Sequence, residues 1–174
     1  MYRYGARGEQ RKGNDHARYL SQRGDEVRRR EWFTMVVAVH LFLLQDNQAL
    51  LLRRRHTGYE DGKYGVVAGH VDGGEEITTA MIREAREEAG IAIASEDLEV
   101  VGVMHRRSAE ERIDFFLVAR RWMGEVANRE PDKCDELAWF DLNALPANVI
   151  PYVRRALDNY QAGRLFDSFG WSQA

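Results

Sequence analysis

The amino-acid sequence predicts a mixed α/β fold, with a β-sheet lying between helices. Three features of the chain carry that expectation. Short runs rich in Val, Ile, Leu and Phe recur with turn residues between them. Two other segments, near 76–89 and 149–161, space their apolar residues as one face of a helix instead. The strand-like runs occur both as hairpin neighbours and separated by helices, so the sheet should be mixed.

The elements follow in order. Residues 34–44 read as a buried strand from their β-branched and aromatic content. Asp46-Asn47 signals a turn, and 50–55 reads as the hairpin partner. Residues 59–65 are loop-like, and Val66-Val67-Ala68 form a short strand ending at Gly69. Asp72-Gly73-Gly74 is a turn. A helix over about 76–89 then buries Ile77, Ala80, Met81, Ala85 and Ala89, and Gly90 stops it. Residues 98–105 and 113–121 read as strands, with 106–112 as a polar loop between them, and 137–140 as a further short strand. Val149, Val153, Ala156, Leu157 and Tyr160 have helical spacing, and Pro151 suits a first helical turn.

At 174 residues the chain is one domain with some extra, long enough to bury a real core. Residues 1–31 hold nine Arg or Lys against five Asp or Glu, a local net of +4; the rest therefore carries −7 of the total −3. That stretch reads as a charged arm, floppy or docked on a partner, and 32–174 as the folded domain. The small net charge argues for neither a nucleic-acid polymer nor a membrane surface as partner. The longest apolar stretch, 32–44, is too short to span a bilayer. Arg28, Arg29 and Arg30 precede it, but no small-residue cleavage site follows. The single cysteine, Cys134, cannot form an intramolecular disulfide. A cytoplasmic protein, monomeric or homodimeric, is the expectation.

The most informative segment runs from Gly69 to Ile91. Glu84, Glu87 and Glu88 stand at i, i+3 and i+4, so they crowd one helix face. Like charges at that spacing destabilise a bare helix, and ionising all three together is unfavourable. A divalent cation removes both problems, since carboxylate oxygens are the ligands Mg²⁺ and Mn²⁺ favour. For an arbitrary E-x-x-E-E helix a solvated acidic face is the commoner explanation. The glycine-bearing loop before this one reverses that, because Gly69 can offer its carbonyl where a side chain would obstruct. Glu75 and Arg83 bracket the loop-to-helix passage and can pair to hold it.

This segment resembles the Nudix box, G-x5-E-x7-R-E-U-x-E-E-x-G-U, where U is a bulky aliphatic. Gly69, Glu75, Arg83, Glu84, Glu87, Glu88, Gly90 and Ile91 fall in register over 23 residues. Ala85, smaller than the usual aliphatic, is the one soft departure. The resemblance covers roughly Trp32 to the C-terminus. It implies an α/β/α sandwich with the box as loop–helix–loop, and an enzyme that hydrolyses a nucleoside diphosphate linked to another group. Carried onto this chain, it implies that Glu84, Glu87, Glu88 and the Gly69 carbonyl bind Mg²⁺, with Mn²⁺ as a substitute. Arg83 and Glu75 orient the box. Glu88 or Glu87 is the candidate general base.

Residues 128–134, followed by Trp139-Phe140, resemble a pattern in MutT-like members that convert a nucleoside triphosphate to the monophosphate and pyrophosphate. Related proteins carry an acidic ligand where Cys134 stands; Glu130, Asp132 and Asp135 are the nearby substitutes. Hydrolysis of ADP-ribose, a nucleotide sugar or a dinucleotide is the alternative within enzymes, and a non-catalytic sensing or protein-binding module is the alternative outside them. Arg53, Arg54 and Arg55 sit at a strand end near the expected phosphate side, with Arg53 and Arg55 the candidate phosphate ligands. Asn148 and Tyr152 are candidates to hydrogen-bond and stack with a base. His40 and His105 lie in strands and are expected to pack.

Overall fold

The computed structural model describes residues 33–171. The charged arm expected over 1–31 lies outside the described residues. A compact unit begins at Thr34.

Among the described residues, eight strands and two helices follow one another as β1 (Val36–Gln45), β2 (Gln48–Arg54), β3 (Tyr64–Gly65), β4 (Val67–His70), α1 (Ile77–Ala89), β5 (Leu98–Arg107), β6 (Glu111–Ala119), β7 (Cys134–Asp141), α2 (Pro151–Gln161) and β8 (Phe166–Phe169). A short 3₁₀ turn, Ser95–Asp97, leads into β5. The sheet is mixed, as expected. β1 pairs parallel with β6 on one edge and antiparallel with β4 on the other. At its far end β1 turns into β2 through Asp46 and Asn47, both at positive φ, the backbone a tight two-residue hairpin requires. β2 then carries β7 along its opposite edge and β3 beyond the hairpin. β5 pairs antiparallel with β6 and parallel with β8.

Both faces of the central strands are apolar because both are covered. Val39, Leu41 and Leu43 of β1, Leu50 and Leu52 of β2, and Leu117 and Ala119 of β6 face the α1 side. Their neighbours Phe42, Leu44, Ala49, Leu51, Phe116 and Val118 face the α2 side. The two-residue period of a strand divides these runs between two cores, one under each helix. α1 fills the first with Ala80, Met81, Ala85 and Ala89, all fully buried. Burying a side chain such as Met81 stabilises by roughly 1.5–3 kcal/mol. The small alanines let α1 lie close to β4, the strand that ends in the loop before it. Ala85, where the sequence motif usually holds a larger aliphatic, belongs to this close packing.

The two short strands β3 and β8 lie outside the expected elements. β3 falls in the segment read as a loop, and its two residues, Tyr64 and Gly65, are held by pairing to β2. β8 follows α2 and is held by the β5 edge. The loop expected over 106–112 is shorter than predicted, since β5 continues to Arg107 and β6 starts at Glu111. No helix among the described residues is long and apolar enough to cross a membrane.

Candidate active site

The loop from Gly69 to Glu76 delivers the chain into α1 on a set of carboxylate contacts. Glu76 caps the helix, accepting from the backbone N–H of Thr78 at 3.0 Å and of Thr79 at 3.2 Å. Glu75 receives Arg83 Nε at 3.0 Å and Nη2 at 3.0 Å. It also accepts from the Asp72 N–H at 3.1 Å. Arg83 donates further to Glu84 at 2.6 Å, to Glu87 at 3.3 Å and to the His70 carbonyl at 3.1 Å. The hydrogen bonds to Glu75 and then Glu84 hold its guanidinium well above the usual arginine range. One fork thus ties loop to helix. At the other end Gly90 adopts φ 70°, and its N–H returns to Ala85 and Arg86 carbonyls.

The segment after β6 docks on that C-terminus. The N–H groups of Ala127 and Arg129 donate to Ala89 and Glu88 carbonyls, each at 3.0 Å. Asn128 spans the turn beyond, donating to the Cys134 carbonyl at 2.7 Å and accepting from the Glu130 N–H at 3.0 Å. These contacts bring Glu130 and Lys133, joined at 2.7 Å, to the mouth of a cleft of about 620 Å³.

Gly69, Glu88, Glu130, Arg54 and Lys133 line that cleft. Glu88 is largely enclosed and accepts from the Ala68 N–H at 3.1 Å. Burial is the main force on it, opposed by that hydrogen bond and reinforced by Glu84 and Glu130, and its carboxyl is pushed up to about 8. Burial also raises Glu84, against the pull of Arg83 and with a push from Glu87 and Glu130. The Glu84 carboxylate lies against the α-carbon of Gly69, in space that any β-carbon there would occupy. A carboxyl that stays protonated near neutrality, a second one with a raised affinity for protons, and a bare backbone between them suit a divalent cation held by oxygen. Glu84, Glu88 and the Gly69 carbonyl are the oxygen groups there that could hold one.

The expected three-carboxylate cluster is looser than the helix spacing implied. Among the described residues, no three acidic, His or Cys side chains converge as a ready-made metal site. Glu87 is 55% exposed and turned toward Arg83, and Glu84 shares the same guanidinium. Like charges keep apart, and the fork of Arg83 draws two of the three toward itself.

The remaining candidates divide. Tyr152 lies in the cleft and is 8% exposed. Asn148 does not reach it; its side chain donates to the Gly62 carbonyl at 2.9 Å and braces the loop before β3. Arg53 lies outside the lining, paired with Asp135 at 2.7 Å and Glu136 at 3.4 Å, and Arg55 is also outside it. Arg54 between them points into the cleft, as strand alternation from Leu52 requires. Of the acidic substitutes for a ligand at Cys134, Glu130 faces the cleft, whereas Asp135 is committed to Arg53 and Asp132 lies outside. Cys134 is itself buried in the cleft wall, with its thiol pushed up by burial and donating to the Glu136 carbonyl.

Sequence reasoning missed a buried polar cluster behind the cleft-lining residues His40 and Arg106. There Asp114, fully buried on β6, holds Arg106 of β5 and approaches His40 of β1 at 3.3 Å. Arg106 lies 4.0 Å over the ring of Tyr152. An Asp within the apolar run 113–119, next to Phe115 and Phe116, was the available signal.

The fold and site define a mixed-sheet protein with a loop–helix–loop carboxylate segment beside a cleft. The family model described as the NUDIX domain matches residues 34–160, and this chain belongs to the Nudix family. A MutT NUDIX hydrolase from Burkholderia pseudomallei has the same fold, with a TM-score of 0.67 and 29% identity over 72% of this chain and 98% of that one. The ADP-ribose pyrophosphatase of Methanocaldococcus jannaschii is 27% identical over 137 residues, 77% of this chain and 78% of that protein. The NAD-capped RNA hydrolase NudC of Pseudomonas aeruginosa is 31% identical over 116 residues, 66% of this chain but only 40% of NudC, so the match spans less than half of that relative.

Proposed function

We propose that this chain hydrolyses the diphosphate linkage of a nucleoside diphosphate joined to a further group, with Mg²⁺ or Mn²⁺ as cofactor. The observation that carries this is Glu88: an enclosed carboxyl pushed up to about 8, beside Gly69 and Glu84, at the wall of a cleft large enough for a nucleotide. A bound divalent cation would neutralise phosphate oxygens and make water more acidic. Glu84, Glu88 and the Gly69 carbonyl would hold that ion. Arg83 and Glu75 keep the loop in register with the helix. Arg54 and Lys133, at the same cleft, draw the anionic phosphates to it. Glu88 is the better base than Glu87, because it lines the cleft while Glu87 faces solvent and Arg83.

The preferred substrate class is a nucleoside triphosphate, cut to the monophosphate and pyrophosphate. The likeness to the MutT NUDIX hydrolase, which takes in nearly all of that protein, supports it. A second reading, a substrate of the ADP-ribose or NAD-cap type, is favoured by the names of the curated relatives. The domain over 32–174 carries this activity, and the protein works in the cytoplasm as a monomer or homodimer.

A product screen with Mg²⁺ tests the reading. Triphosphates, ADP-ribose, NAD and an NAD-capped RNA are incubated with the full chain, and pyrophosphate and monophosphates are measured. Pyrophosphate from a triphosphate supports the first substrate class, and a monophosphate plus a ribose phosphate or a second mononucleotide supports the other. Tight binding with no turnover of any of these would make the chain a non-catalytic module.

A further inference from the structure

The floor of the cleft holds polar groups that the hydrolytic centre does not use. His40, Arg106 and Asp114 are 3%, 3% and 0% exposed. They come from three adjacent strands and share one sheet face, because Ala38 aligns with Asp114, and Asp114 with Met104, two residues before Arg106. Arg106 has five N–H donors. Nε and Nη2 go to Asp114, the latter at 3.4 Å, and Nη1 has only the Tyr59 hydroxyl at 3.5 Å. The ring of Tyr152 packs beneath the guanidinium and sets its plane. Two donors of the fork stay uncommitted.

His40 is unpaired in a stricter sense. Its Nε2 approaches Asp114 but lies out of line for a hydrogen bond, and Nδ1 has no polar partner. The ring stacks on Phe116, with centroids 4.8 Å apart, and meets Tyr152 edge-on. Both ring nitrogens are thus buried without a polar partner, in a residue that lines the cleft. Such groups are costly to bury unless something in the cleft completes them.

Charge narrows what that something is. Burial pushes the Asp114 carboxyl up, yet His40 and Arg106 together outweigh burial and leave it at about 2, so it is ionised. The Arg106–Asp114 pair is therefore neutral as a unit. The uncommitted Arg106 donors, at the cleft lining, thus belong to a pair without net charge, which suits a neutral acceptor better than a phosphate. Phosphates have Arg54 and Lys133. The floor is also close to the hydrolytic centre, since His40 pairs across the sheet with Ala68, whose N–H holds Glu88.

We propose that Arg106 and His40, fixed by Asp114 and Tyr152, form a nucleobase-reading floor that accepts a ring carbonyl oxygen, and so selects guanine, cytosine or uracil nucleotides over adenine. Adenine is the common base with no ring carbonyl; at the matching edge it presents an amino donor, which meets donors on the protein. This rests on the nucleotide-hydrolase reading above and deepens it. It also weighs against ADP-ribose as the favoured substrate of this site.

The test measures binding of AMP, GMP, CMP and UMP to the full chain by calorimetry, and kcat/KM for the four triphosphates with Mg²⁺. AMP is expected to bind weakest, by about tenfold or more, because a missing acceptor leaves buried donors unpaired. The 2-aminopurine ribonucleotide, which is GMP without its carbonyl, should fall to the level of AMP; this arm needs no change to the protein. Arg106→Gln combined with Asp114→Asn, which removes both charges together, should bring the four monophosphates within about twofold of each other. AMP binding as tightly as GMP, CMP or UMP, or the 2-aminopurine nucleotide binding like GMP, overturns the proposal. Carbonyl-selective binding without turnover of any triphosphate would leave this floor standing and sink the triphosphatase reading. Turnover without base preference would do the reverse.

Discussion

The carboxylate of Glu84 lies against the α-carbon of Gly69, filling the position a β-carbon would take. Helix and loop are thereby locked at a separation only a bare backbone permits, and the loop carbonyl stays beside the acidic face.

Gly69→Ala should therefore damage the site without unfolding the protein, because Gly69 does not need a left-handed backbone and only the tip of Glu84 must move. A shift of about 1 Å in a metal-positioning carboxylate can cost about 10²-fold in rate. Turnover with Mg²⁺ should fall by about that factor, with an unchanged circular dichroism spectrum. Near-normal turnover would show that the Gly69–Glu84 contact has no part in catalysis.

The glutamates of the helix should differ in effect. Glu88→Gln removes the enclosed carboxyl at the cleft and should lower kcat by about 10²–10⁴-fold, the range expected for a positioned base. Glu87→Gln, altering a side chain that faces solvent and Arg83, should cost less than Glu88→Gln. Parallel kinetics on the two variants decide this, and equal losses would return Glu87 to the centre of the site.

Glu88 also sets a pH dependence. Its carboxyl is raised in the fold to about 8, from 4.5 as the ordinary value. The fold therefore favours the protonated form, and the stability it lends is complete below about 4.5 and lost as pH rises through about 8. In EDTA, the Tm of the wild type relative to Glu88→Gln should fall between pH 5 and pH 9. Metal binding runs the other way: Mg²⁺ affinity should rise across the same window as the proton is released. A difference in Tm that does not vary with pH would remove the basis for Glu88 as a tuned acid–base group.

Arg83 ties Glu75, Glu84, Glu87 and the His70 carbonyl into one unit. Arg83→Ala should lower stability by about 1.5–3 kcal/mol, the range for hydrogen bonds to charged groups. Arg83→Lys should restore little, since an ammonium cannot reproduce the fork. Urea unfolding of both variants measures this, and full rescue by lysine would reduce Arg83 to a point charge.

The helices and most strands were legible because each follows from local pattern. Thirteen residues of helical spacing, closed by Gly90, could form little else, and the apolar runs of β1, β2 and β6 carry enough Val, Leu and Phe to announce buried strands. β3 and β8 were not legible. Each is two to four residues long, and each exists because a longer strand offers an edge to pair with. The same distinction holds in the site. Spacing alone brought Gly69, Glu75, Arg83 and Glu84 together, while the direction of Glu87 is set by its pairing with Arg83.

Outside the motif, tertiary structure made the choices. Arg53, Arg54 and Arg55 are chemically alike, and only the direction of β2 determines that Arg54 enters the cleft. Asn148 has the chemistry to read a base, but the path of the chain spends it on Gly62. His40, Arg106 and Asp114 are 66 and 8 residues apart in the chain, and only the order β1, β6, β5 in the sheet makes them neighbours. The sequence by itself determined the family and the loop–helix segment that carries its motif, because these lie within one loop and one helix where spacing is geometry. Which residues face the cleft was decided by strand order and register, since those bring together side chains whose separation along the chain carries no spatial information.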